Sequence, residues 1–319
     1  MNYVKVILAL LALLVPVTAH ATLEPAGSVQ IANCDMSTTA ICNAVKGTVA
    51  AGRWYDLYSS AVIGGDGSEP ISPPGFLDSA MYYSGPCSNG GGSPLPCASG
   101  GTQVGYIDNK ADRELYARFS FKINSSYGCS LVGKSKVFFM RSFDFPFGFE
   151  RSNGVFLIEG CGTTKSMLFS HNSGNLDNSH TCSLDLGLAC FPNVGSAAIP
   201  AGQWVTIEAC IRSSSSLTSR DGVLWWAVNG VMSGRYTNLN YGSGNVNEWL
   251  QNETWDGYGN GQGFTTDVHQ MFGDVYVSVP PNGGCASVVG GGPSTPPPPP
   301  PVDTTPPGRA TGLTITQLN

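Results

Sequence analysis

The chain is short of charge. Lys, Arg, Asp and Glu make up 12% of its 319 residues, about half the roughly 25% of an ordinary globular domain. What charge there is leans acidic, with a formal net charge of -6. That leaves no basic surface to neutralise nucleic-acid phosphates or anionic lipid. Histidine is scarce, at four residues. The H-E-x-x-H, C-x-x-C and G-x-S-x-G patterns are missing, and no Walker or dinucleotide glycine pattern occurs in a strand–helix context. Metalloprotease, zinc-ribbon, nucleophile-elbow and nucleotide-binding readings therefore lose their usual carriers. After residue 21 no hydrophobic run is long enough to cross a bilayer as a helix. Long amphipathic helical patterns are missing too, so the 41% of hydrophobic residues must build a core from strands.

What is present begins with the N-terminus. Lys5 precedes an apolar run from Val6 to Val17, and Ala19-His20-Ala21 is an A-x-A cleavage site. This reads as a signal peptide over residues 1–21, with the mature chain starting at Thr22 and exported to the extracellular space or periplasm. Ten cysteines follow it. In an exported chain an even number favours disulfides, and without clustered His they do not match zinc spacing. Cys34–Cys42, Cys87–Cys97 and Cys182–Cys190 are close in sequence and flanked by turn residues, so they are expected to staple loops. Spacing does not pair Cys129, Cys161, Cys210 and Cys285.

Residues 22 to about 106 are rich in Gly, Ser and Pro and predict short strands joined by loops. Period-two alternation then appears. In Glu114–Ile123, the residues Leu115, Ala117, Phe119, Phe121 and Ile123 share one face; Tyr116, Arg118, Ser120 and Lys122 share the other. In Trp204–Arg212, the residues Val205, Ile207, Ala209 and Ile211 oppose Trp204, Thr206, Glu208 and Cys210. Lys136–Phe143, Val155–Glu159, Ser166–His171, Val223–Val228 and Val275–Val279 also read as strands, and Asn229-Gly230 signals a type I′ hairpin. Many strands between turn-rich loops predict an all-β fold, an antiparallel jelly-roll β-sandwich with disulfide-stapled loops over residues 22–285. Residues 286–305, with an unbroken proline run from Pro296 to Pro301, form a semi-rigid linker. Residues 306–319 resemble the opening strand of a fibronectin type III module, expected to continue in the intact gene product.

Two motifs carry a wider resemblance. Trp204-Val205-Thr206-Ile207-Glu208, followed by Asp221-Gly222-Val223-Leu224-Trp225-Trp226-Ala227-Val228-Asn229-Gly230, resembles the concanavalin A-like lectin/glucanase superfamily, and Gly273–Ser278 looks like the final strand of such domains. Within it the chain is most similar to secreted bacterial polysaccharide-lyase-like and laminin-G-like domains, over roughly residues 105–280. The resemblance implies a polysaccharide partner, with catalysis or binding left open, because this fold hosts both. It assigns no cofactor or metal, and leaves calcium open through Asp221, Asp256, Asp267 and Asp274.

Glycoside hydrolysis on such a fold needs paired carboxylates. The E-x-D-x-x-E strand signature is absent, Glu248 and Glu253 read as loop residues, and Glu150, Glu159 and Glu208 read as isolated. β-Elimination asks for less: a group that neutralises a uronate carboxylate, and a base. Candidates are Arg118, Arg141, His171, His269 and Tyr116, with Tyr241 or Tyr276 as other tyrosines. Each alone is also explained as a structural or solvated residue. For sugar binding, Trp249, Trp255, Asp256, Tyr258 and Asn260 place aromatics and hydrogen-bonding groups before the last strand. Trp54-Tyr55 and Tyr82-Tyr83 are weaker cases. The alternative to a lyase is a non-catalytic carbohydrate-binding or adhesion module of a larger extracellular protein.

Overall fold

A computed structural model of the chain describes residues 22–36, 42, 44–46, 51–56, 62–63, 77–88, 94–100, 103–110, 112–123, 135–144, 149–159, 164–171, 189–191, 198–216, 218–239, 244–252 and 268–289. The strands of the N-terminal third are Val29–Cys34 (β1), Val45–Lys46 (β2), Arg53–Asp56 (β3), Val62–Ile63 (β4), Leu77–Ser88 (β5), Pro94–Gly100 (β6) and Gln103–Ile107 (β7). The middle of the chain supplies Glu114–Ile123 (β8), Ser135–Asp144 (β9), Phe149–Glu159 (β10), Thr164–His171 (β11), Ala189–Phe191 (β12) and Ile199–Pro200 (β13). Val205–Arg212 (β14), Gly222–Val228 (β15), Val231–Leu239 (β16), Glu248–Asn252 (β17) and Val268–Val279 (β18) follow, then one helical turn, Gly284–Ser287 (α1).

The strands form two sheets of nine among the described residues. The first runs β16-β15-β14-β8-β18-β5-β4, with β1 also on β18 and β6 on β5. The second runs β12-β11-β10-β9-β17-β7-β3-β2, with β13 also on β11. All pairings are antiparallel except β2 with β3. Consecutive strands pair as hairpins in both sheets, but others are distant in sequence: β18, the last strand, inserts between β8 and β5. This is the antiparallel jelly-roll β-sandwich that the alternation predicts.

Alternation decides which residues meet between the sheets. Phe119 of β8 stands 4.9 Å from Phe138 of β9, ring centre to ring centre, and 5.7 Å from Trp249 of β17. Phe156 of β10 meets Trp226 of β15 edge-on at 5.9 Å. Each such side chain, fully buried, stabilises by about 1.5–3 kcal/mol through lost apolar surface. The predicted face of β8 holds: Leu115, Ala117, Phe119, Phe121 and Ile123 all lie in this core. The expected strands all appear, several longer than predicted at their N-terminal side. Asn229 and Gly230 have φ of 50° and 73°, as a type I′ turn requires.

The outer face of the first sheet has its own small cluster of Tyr116, Cys210, Val223, Trp225 and Cys285. Trp225 and Trp226 thus point to opposite faces, and both are fully buried. Two disulfides are described: Cys34–Cys42, as expected, and Cys210–Cys285, which spacing left unpaired. The expected Cys87–Cys97 and Cys182–Cys190 bridges, the leader, the proline run and the fibronectin-like start lie outside the described residues or side chains.

An ionic cluster ties the α1 end to β8 and β14. Glu114 accepts the backbone N–H groups of Gly283 and Cys285 and has Arg212 beside it at 3.5 Å. Asp221 lies between Arg113, at 3.1 Å, and Arg212, at 3.6 Å, and takes hydrogen bonds from the amide and hydroxyl of Ser215. Desolvation pushes this carboxyl up, but the Ser215 donors and Arg113 outweigh it and hold it at about 2. The folded value is thus below the unfolded value of about 3.9. Asp221 stabilises the native state fully above that unfolded value, and the contribution is lost as pH falls through about 2. Urea unfolding followed against pH should therefore show stability declining from about pH 4 downward, with Asp221→Asn shrinking that decline.

Candidate functional site

The outer face of the second sheet carries a buried polar group in a chain that has little charge to spare. Register defines it. Across the sheet, Arg53, Ile107, Glu248, Arg141 and Asn153 fall on one rung of β3, β7, β17, β9 and β10. The next rung on the same face is Tyr55, Gly105, Leu250, Phe139 and Val155. The start of β17 is pinned from both sides: Asn247 donates its N–H to the Arg141 carbonyl at 3.1 Å and accepts the N–H of Asp108 at 2.7 Å.

Glu248 is fully buried, as is Tyr55, while Arg141 keeps 8% of its surface exposed. The Arg141 Nε donates to Glu248 Oε2, and its Nη2 lies 3.3 Å from Oε1. The Tyr55 hydroxyl donates to the same Oε1. The guanidinium also rests over the Phe139 ring, 5.4 Å from its centre. Burial, then the negative charge of Glu248, pushes the Tyr55 phenol well above its ordinary range. At neutral pH Tyr55 therefore keeps its proton and donates it to Glu248 in a hydrogen bond. Arg53, on the same rung, is exposed.

Gly105 makes this contact sterically feasible. A Cβ on Gly105 would lie 2.5 Å from the Tyr55 hydroxyl and 2.9 Å from the Trp249 carbonyl oxygen. The tyrosine crosses β7 only because no side chain stands there.

The structure divides the five expected catalytic residues between the sheets. Arg141 belongs to the cluster above. His171 ends β11 of the same sheet, but register sets it opposite Gly154, on the Met140 rung rather than the Arg141 rung; its side chain is outside the described set. Tyr116, Arg118 and His269 belong to the first sheet, on β8 and β18. Tyr116 donates to Glu208 at 2.6 Å, and burial followed by that carboxylate pushes its phenol up, which removes it as a base. Arg118 lies over the Tyr276 ring at 5.0 Å. His269 is 8% exposed, opposite Ala80 of β5.

Of the expected sugar-binding residues, Trp249 is corrected. It is fully buried in the sandwich core, 5.9 Å from Trp54 and 5.7 Å from Phe119. Trp54 is core as well. Trp255, Asp256, Tyr258 and Asn260, with Tyr241, lie outside the described residues. Two carboxylates are also corrected. Glu248 opens a strand rather than a loop, and Glu208 is not isolated, since Tyr116, Thr22 and the Leu23 amide all bind it. Asp221, one calcium candidate, is held by arginines. Among the described residues no group of three or more His, Cys, Asp or Glu is placed to hold a metal ion.

No protein-family model matches the chain, and no curated protein matches it. Solved structures do. The chain is similar to an endo-β-1,4-glucuronan lyase from the fungus Trichoderma reesei, with a TM-score of 0.52 at 11% identity, covering 81% of this chain and 98% of that one. It is also similar to the marine PL-14 alginate lyase from Aplysia kurodai, with a TM-score of 0.52 at 9% identity, covering 79% of this chain and all of that one (100%). At such identity the likeness shows the fold: a β-sandwich of the type found in these lyases. Among the described residues no helix is long and apolar enough to cross a membrane.

The Tyr55–Glu248 contact gives a direct test of the site geometry. Gly105→Ala should push the phenol off the carboxylate and destabilise the fold by about 1–3 kcal/mol, as overpacking and an unmet buried acceptor do. A Tyr55 phenol titration moved back toward its ordinary value, with a matching drop in urea midpoint, would register the change.

Proposed function

We propose that the protein is an exported polysaccharide lyase that cleaves a uronate-containing glycan by β-elimination on the outer face of the second sheet. Two things support this reading. The fold is that of two polysaccharide lyases, acting on glucuronan and alginate by their names. On one outer face, a guanidinium, a carboxylate and a phenol are joined by hydrogen bonds. The second observation carries the assignment, because these are the three functions that the elimination needs.

In the proposed reaction Arg141 neutralises the uronate carboxylate and so acidifies the neighbouring C–H. Glu248 takes that proton. The electron pair forms the C=C bond as the C–O bond to the leaving sugar breaks, and Tyr55 gives its proton to the departing oxygen. Glu248 and Tyr55 share a hydrogen bond, so the proton gained by one returns to the other and the pair resets. Arg53, exposed on the same rung, adds positive charge along the path of an acidic chain.

A specific observation also favours the alternative, a non-catalytic binding or adhesion module. Tyr55 and Glu248 are fully buried and Arg141 neutralises the carboxylate, which is what a purely structural cluster requires.

Incubation with glucuronan, alginate and neutral glucans separates the two. A lyase generates the ultraviolet absorbance of unsaturated uronate on one acidic polymer and none on neutral ones. Arg141→Ala should lower kcat/KM by about 10²–10³-fold, as loss of a charge-stabilising donor does. Arg141→Lys keeps the charge and the fold and should retain part of the rate, while Arg118→Ala, on the opposite sheet, should leave it unchanged. Retention of protein on insoluble acidic glycan without absorbance, or an Arg118→Ala loss equal to that of Arg141→Ala, contradicts the assignment.

A further inference from the structure

A further buried glutamate, Glu208, lies on the outer face of the first sheet and is 2% exposed. Its Oε2 accepts three hydrogen bonds: from Tyr116 at 2.6 Å, from the Leu23 N–H at 2.7 Å and from the Thr22 hydroxyl at 3.0 Å. Among the described residues no cationic side chain forms an ion pair with it; Arg118, its cross-strand neighbour, lies over Tyr276 instead. A buried carboxylate met only by neutral donors is expensive to charge.

Two of its three donors belong to the segment that follows Ala21. That segment is firmly seated. Glu24 accepts hydrogen bonds from Tyr276 at 2.8 Å and Ser278 at 2.7 Å, both on β18. Leu23 packs on the Cys210–Cys285 cluster, and β1 then pairs with β18. The Thr22 backbone nitrogen is three bonds from the Thr22 hydroxyl oxygen and three bonds from the Leu23 nitrogen, both of which touch Glu208. Covalent geometry therefore keeps it within about 5–6 Å of the carboxylate.

We propose that Thr22–Glu24 is the seat of the mature N-terminus, and that leader removal supplies the cation that Glu208 lacks. Hydrolysis of the Ala21–Thr22 bond consumes one water and leaves a carboxylate on Ala21 and an ammonium on Thr22. What was a neutral amide becomes a positive charge beside a buried negative one. Processing thus sets a positive charge near the buried carboxylate and strengthens the hold of the first segment on the sheet, so the processed chain is more stable than its precursor. The inference rests on cleavage after Ala21 and is independent of the lyase reading.

The test compares three forms of the full mature chain: one starting at Thr22, the same chain N-acetylated, and one retaining Ala21. Acetylation keeps the Thr22 hydroxyl and the Leu23 N–H and removes only the charge. The form starting at Thr22 should have an unfolding equilibrium constant roughly tenfold smaller than the other two, the scale of a coupled pair in one network. In Glu208→Gln the gap between forms should close. N-terminal sequencing of the exported protein should begin at Thr22. Equal stability of free and acetylated chains, a gap that survives Glu208→Gln, or an exported chain starting elsewhere overturns the proposal. The acetylation comparison stands even if Glu208→Gln does not fold, and none of these readouts depends on turnover.

Discussion

A buried carboxylate must be satisfied, and this protein buries Glu208 on one outer face of its sandwich and Glu248 on the other. Glu208 and Glu248 are 2% and 0% exposed in a chain with few charges. Each takes a hydrogen bond from a tyrosine, Tyr116 for one and Tyr55 for the other. Leaving such a group unpaired costs several kcal/mol on the order of the measured 3–5 for broken buried pairs. Much of the layout follows from meeting that cost. Gly105 has no side chain so that Tyr55 can cross β7, and the segment after Ala21 is held against β14 and β18 by its own polar contacts.

The two clusters differ in what completes them. Glu248 has a guanidinium supplied by the next strand of its own sheet, on a side chain that keeps 10% of its surface exposed. Glu208 is met by neutral donors from β8 and from the N-terminal segment. The first arrangement holds a cation, an acceptor and a proton donor together, the set that the proposed elimination uses. The second closes over a disulfide, Trp225 and the segment after Ala21, which suits anchorage better than chemistry.

The fold was legible where the two faces of a strand differ in chemistry. β8 and β14 present one apolar and one mixed face, so period two shows in the sequence and the core face could be named in advance. β17 was hidden because both of its faces are buried: Trp249 packs inward while Glu248 and Leu250 face outward, and the alternation is lost. That hid Glu248 as a loop residue and left Trp249 looking like a sugar platform. The sheet partners were not legible either. Arg118 and Arg141 both sit on alternating strands, and nothing local records that β8 and β9 belong to opposite sheets. Tyr55 appeared beside Trp54 as a weak aromatic pair; the signal that could have raised it is Gly105, a glycine inside an apolar strand where a side chain of another strand passes.

On the proposed function the Tyr55 cluster serves turnover and the Tyr116 cluster serves anchorage. Matched hydroxyl deletions test it most directly: Tyr55→Phe and Tyr116→Phe, each assayed for kcat/KM on the responsive acidic polymer and for urea stability. Both should lose about 1–3 kcal/mol of stability, since each leaves a buried acceptor short of a donor. Only Tyr55→Phe should lose kcat/KM while the protein remains folded. Equal loss of turnover in both, or loss in Tyr116→Phe alone, would contradict the account.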